Sequence, residues 1–155
     1  MAELVMREIL PHDIENISRN MRKADLREMH AAGFVDPDRV LRSLVAQSAY
    51  SRVAIVDGEA VMMFGVQAKS MLTRDGLVWA VAADNALPRH RRLFLEHSPR
   101  YVQAMLRLFP KLTNHVHAPN RTAVRWLQFM GFQLGEPERH PYTGEMFRPF
   151  ELEAN

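Results

Sequence analysis

The segment from Leu112 to Leu134 constrains the fold more than any other part of the chain. Leu112–Ala118 has the β-rich character of a strand, Arg121–Met130 carries apolar residues at helical spacing, and Phe132–Leu134 reads as a strand again. A helix joined so closely to strands on both sides buries its apolar face against a sheet, which makes α/β the expected fold class. Local chemistry agrees. Asn120 can cap the helix through its side chain. Ala123 lets the helix lie close to the sheet, and Gly131 supplies a tight exit into the next strand.

The rest of the chain extends the pattern. Met6–Leu10 reads as a first strand stopped by Pro11. A helix capped by Asp13 follows, with Ile14, Ile17, Met21 and Ala24 on one face and Gly33 at its end. Asp36-Pro37 opens a second helix with Val40, Leu41, Leu44 and Val45 as its buried stripe. Val53–Val56, Asp57-Gly58 and Ala60–Val66 spell a hairpin. Both runs are apolar on successive residues, so these strands are expected to be covered on both faces. Leu77–Ala83 reads as another strand. A long helix is expected from Pro88 to about Phe109, with Pro99 starting a second piece or kinking the first. Met146–Leu152 is the last predicted strand. The order β-α-α-β-β-β-α-β-α-β-β, without repeats or linker-like runs, predicts one α/β domain over residues 1–155 with helices on both faces of a mixed sheet.

Composition narrows the chemistry. With no cysteine, disulfides, thiolate metal sites and cysteine nucleophiles are excluded together, which fits a reducing compartment. No stretch approaches the roughly 18 apolar residues of a membrane helix, and the N-terminus has no secretory pattern. Lys23, Lys69 and Lys111 are the only lysines, so arginine dominates the basic residues, while the formal charge is only +2. Arginine favours bidentate contact with phosphate or carboxylate, but codon usage that favours arginine is the better explanation of the bias. Arg125-Trp126 and Arg148 beside Phe147 and Phe150 would suit nucleic acid, yet no continuous basic stripe exists, and nucleic acid is not an expected partner.

The element order, together with the run Asn120-Arg121-Thr122-Ala123-Val124-Arg125-Trp126-Leu127 closing on Gly131-Phe132, resembles the GCN5-related N-acetyltransferase (GNAT) superfamily. That resemblance implies a mixed, largely antiparallel central sheet, with acetyl-CoA between two central strands that splay apart. From Arg22 onward the chain also resembles the internal virion protein A family of short-tailed phages. The landmarks are Glu28 to Gly33, Trp79, Arg89-His90-Arg91-Arg92, Asn114-His115-Val116 and Val124-Arg125-Trp126-Leu127. This second resemblance implies phage virion or host proteins as partners, and a place in the host cytoplasm or the virion.

The GNAT resemblance also says where to look for a site. The turn that cradles the CoA pyrophosphate corresponds here to Asp84-Asn85-Ala86-Leu87-Pro88-Arg89-His90-Arg91-Arg92, which has no glycine. Arginine side chains can bind phosphate in place of backbone amides; otherwise this is an exposed basic first turn. Leu87, Arg89, His90, Arg91, Arg92 and Asn120 are the candidate cofactor-binding residues. Leu127 occupies the position of the superfamily's acid tyrosine, leaving Tyr101 or Tyr142 to reach in from elsewhere. Asp84 is the candidate base on the fourth strand. Asp25 and Glu28 can face the cleft, although with Arg22 and Arg27 they read first as a solvated, salt-bridged face. His115 and His117 share one strand face. Without a carboxylate at fixed spacing they read as polar strand positions, and no metal site is expected. Three functions follow: a GNAT-fold protein acting through protein contacts with its catalysis eroded, an active acetyl-CoA-dependent N-acetyltransferase, or a domain that binds acetyl-CoA without turnover.

Overall fold

The computed structural model describes residues 3–155. Leu4–Arg7 (β1) is followed by helices Pro11–Arg19 (α1), Lys23–Ala31 (α2) and Pro37–Gln47 (α3). Strands Tyr50–Val56 (β2), Glu59–Ala68 (β3) and Asp75–Ala82 (β4) come next, then helices Ala86–Arg89 (α4) and Arg91–Leu108 (α5). Lys111–His117 (β5), Arg121–Phe129 (α6), Gln133–Leu134 (β6), Glu138–Arg139 (β7) and Met146–Glu153 (β8) complete the order. The strands form one sheet in the order β1-β2-β3-β4-β5-β8-β6, with β7 also on β8. Every pairing is antiparallel except β4 with β5.

Both faces of the sheet are covered, as the unbroken apolar runs of β2 and β3 require. On one face, Ile14, Ile17, Met29 and Leu41 from α1–α3 pack against Val53, Met63 and Val81. On the other, Val102, Met105 and Leu106 of α5 pack against Phe64, Val66, Val78 and Leu112, and α6 adds Ala123, Val124 and Leu127. The predicted Asp57-Gly58 turn joins β2 to β3 with both residues at positive φ, 50° and 84°. No described helix is long and apolar enough to cross a membrane.

Three expectations need correction. The first long helix is two, because Met21 bridges to Ala83 and the Arg22 N–H donates to Ala82 O at 2.8 Å, so the chain leaves helical geometry to extend β4. Asp13 does not cap α1 from outside. It sits in the first turn, where its carboxylate accepts the Leu10 N–H at 2.8 Å and the Arg7 guanidinium at 2.6 Å. Pro99 neither ends nor divides α5. The residue is exposed, and the helix continues through it. The helical break falls earlier, at His90 between α4 and α5.

Candidate active site

The parallel pair β4–β5 is registered only at Asp75 with Lys111, Gly76 with Leu112 and Leu77 with Thr113. Beyond that point each strand keeps its outer partner: β4 stays on β3 through Ala82, and β5 stays on β8 through His117. The sheet therefore opens into a wedge between them. At the vertex, Asn114 Nδ2 donates to Val78 O at 2.7 Å, a side chain replacing the next rung of the ladder. Ala80 is exposed in mid-strand, whereas Val78, Val81 and Ala82 around it are buried. A cavity of about 740 Å³ runs through the opening. Tyr101 and Trp126 line it on the α5–α6 face, Met29, Leu44 and Trp79 on the α2–α3 face, and Ala80 between.

Helix α2 closes the far end of the wedge. Because the Met21–Arg22 bridge delivers the chain to the end of β4, α2 starts beside the opening, and the three-residue spacing puts Asp25 and Glu28 on one helical face. Asp25 Oδ2 accepts the Ala82 N–H of β4 at 2.8 Å, and Glu28 Oε1 accepts the His117 N–H of β5 at 2.8 Å. Each carboxylate thus satisfies an amide that the parted strands cannot satisfy for each other. One Arg22 nitrogen, Nη2, donates to Asp25 Oδ1 at 2.9 Å and to Asn120 Oδ1 at 2.7 Å. Asn120 Nδ2 reaches Glu28 Oε1 at 3.5 Å.

The reading of Asp25 and Glu28 as a solvated face is therefore overturned. Asp25 is only 8 % exposed and Glu28 lines the cavity; Arg27 alone stays in solvent. The one guanidinium in this poorly solvated place pairs with Asp25 and is joined to Glu28 only through Asn120. Burial pushes the Glu28 carboxyl up to about 7, and the Asp25 charge adds to the rise against the His117 amide, Asn120 and Arg22. Burial also raises Asp25, opposed chiefly by Arg22. A carboxyl that exchanges its proton near neutrality is suited to general base work.

The other candidates lie in three places. Asp84 is exposed just beyond β4 and lines a separate cavity of about 430 Å³ with Asn16, Asn20, Arg89 and His90. Leu87 and Arg89 lie in α4, His90 is the junction, and Arg91 and Arg92 open α5, both exposed. Among the described residues, neither Arg91 nor Arg92 forms an ion pair. Asn85, at φ 61°, makes the left-handed turn from β4 into α4 that a glycine would otherwise make. Asn120 is 4 % exposed; it caps α6 through the Ala123 N–H, as expected, and also joins the Arg22–Glu28 cluster.

Leu127 lines the cavity on α6, and Tyr101 lines it from α5 on the same face of the sheet. Tyr142 is 93 % exposed and outside the cavity. His115 and His117 do share a face, and each approaches a glutamate: Glu138 at 3.9 Å and Glu145 at 3.3 Å.

No protein-family model matches the sequence, and no curated protein matches it. Solved structures do. Ard1 from Thermoplasma volcanium superposes with a TM-score of 0.74 at 18 % identity, covering 98 % of both chains. The ribosomal-protein-S18-alanine N-acetyltransferase from Escherichia coli gives 0.69 at 15 % identity, covering 99 % of this chain and 95 % of that one. A GNAT-family acetyltransferase from Bacillus anthracis gives 0.69 at 11 % identity, covering 99 % and 96 %. The fold is that of the GNAT acetyltransferases, and at these identities the likeness is one of fold.

Proposed function

We propose that this chain is an acetyl-CoA-dependent N-acyltransferase in which Glu28 takes the proton from the acceptor amine. The observation that carries the proposal is the placement of Glu28, a carboxyl pushed up to about 7, in the same opening as the exposed Ala80. The cofactor fits what the chain offers. The wedge leaves room beside β4, and Arg89, Arg91 and Arg92 stand exposed at the turn before α5, whose body lines the cavity. Their guanidinium groups would hold the pyrophosphate where the glycine-free turn presents fewer amides. When bound, acetyl-CoA supplies the acyl group as an activated thioester.

The chain's own residues divide the remaining work. Arg22 and Asn120 hold the acidic pair in place, and Glu28 accepts the amine proton. Tyr101 lines the cavity and would return a proton to the leaving sulfur, a task closed to Leu127. Asp84 faces the smaller cavity and is the comparison residue: Glu28→Gln should lower turnover far more than Asp84→Asn. The test begins with calorimetric titration of acetyl-CoA and CoA, followed by thiol release with amine acceptors. Saturable binding that weakens in Arg91→Ala and Arg92→Ala supports the proposal; no heat at near-millimolar ligand refutes it.

A second reading has its own observation. Leu127 at the acid position, with no glycine in the turn from Asp84 to Arg92, fits a GNAT-fold protein that works through contacts with phage virion or host proteins. Absence of CoA binding with the fold intact would favour that reading.

A further inference from the structure

On the α2–α3 face the cavity continues as an arm walled by Met29, Phe34, Val40, Leu44, Trp79 and Phe147. Trp79 packs across Gly65, where an added Cβ would come within 2.8 Å of the indole. Its one polar atom is already used: Nε1 donates to Ser48 Oγ at 2.9 Å, and that hydroxyl donates to Leu44 O at 2.6 Å. Trp79 therefore offers the arm only carbon. The far wall is the β7–β8 hairpin, fastened to the end of α2 by Thr143 Oγ1 donating to Ala31 O at 2.6 Å.

Polar residues also line the cavity, Ser43, Gln47, Gln67, His140 and Arg139 among them. Beyond the Asp25–Glu28 pair, Glu138 is the only carboxylate among the described lining residues. Its side chain is 64 % exposed, lies 3.9 Å from His115 and is followed by Arg139. The arm thus places one ammonium group, at Glu28, while its carboxylate outside the Asp25–Glu28 pair, Glu138, lies mostly in solvent. Resting on the acyltransfer reading, we infer that the acceptor is a primary amine carrying one bulky apolar group, aromatic or branched aliphatic, and not a polyamine. The amine meets Glu28 while the apolar group lies against Leu44 and Trp79.

Saturation-transfer NMR on the full chain, with CoA present, tests this without requiring turnover. The probes are phenethylamine, a tripeptide amide beginning with leucine, and spermidine. At least one apolar amine should bind at least roughly tenfold more tightly than spermidine, the scale of burying a leucine-sized group. Which of the two binds separates a small-molecule acceptor from a peptide N-terminus. Leu44→Gln should weaken the apolar amine by about tenfold and leave spermidine unchanged; Val40→Thr is the milder second variant should Leu44→Gln fail to fold. Spermidine binding as tightly as the apolar amines, or affinity indifferent to both variants, overturns the inference. Binding of apolar amines without thiol release would sustain it and refute the catalytic reading. Acetylation of spermidine without apolar binding would do the reverse.

Discussion

Replacing Glu28 by glutamine keeps the size of the side chain and an acceptor for the His117 N–H, but removes the proton equilibrium. In the folded protein burial holds this carboxyl at about 7, against an ordinary value of 4.5. At about 1.36 kcal/mol per pH unit, that difference corresponds to about 3 kcal/mol of stability linked to one proton. The direction follows from the folded value being the higher one. Stability from the protonated carboxyl is fully present below 4.5 and is lost as pH rises through about 7. Urea denaturation followed by circular dichroism, in steps across that window and one pH unit beyond each end, measures it. The wild-type protein should lose about 3 kcal/mol relative to Glu28→Gln between the two ends. Asp25 is present in both proteins and cancels to first order. Turnover should show the complementary limb, rising through about 7 in the wild type and at least about 100-fold lower and flat in the variant. Parallel stability curves, or a rising limb that survives in Glu28→Gln, would refute the placement of Glu28 in a poorly solvated wedge.

Arg22→Met should destabilise the fold by roughly 3 kcal/mol, because it leaves buried Asp25 without its cation; the urea midpoint reports it, and loss near zero would mean the pair is solvated. Ala80→Phe should fill the opening, abolishing the calorimetric signal for acetyl-CoA while the thermal midpoint stays close to wild type. Gly65→Ala should cost roughly 1–3 kcal/mol through its clash with Trp79 and the Tyr50 carbonyl, with a shift in tryptophan emission; an unchanged protein would show that the indole yields freely.

What the sequence made legible was local. The Asp57-Gly58 hairpin and the Asn120-capped α6 appear where expected, because each signal and its partner lie within a few residues. The break between α1 and α2 was not legible, since it depends on Met21 meeting Ala83 across the fold. Nor was β7, where Glu138 and Arg139 are polar and exposed and pair through backbone alone. The acidic pair shows the same limit. Asp25 and Glu28 carry helical spacing in the sequence, but their partners are the amides of Ala82 and His117 and a side chain at Asn120. Only the three-dimensional arrangement distinguishes that pair from an ordinary charged surface.

The short register between β4 and β5 has a mechanical consequence. Strands β1–β4 and β5–β8 are two leaves of one sheet, hinged at Asp75–Leu77 and latched at the open edge by α2. The latch is made of acceptors with their own titration, whereas the hinge is ordinary backbone. Hydrogen exchange at the Ala82 and His117 amides should therefore respond to Arg22→Met well before amides at the hinge do. A helix ordinarily lies on a sheet; here α2 also holds its two leaves in register.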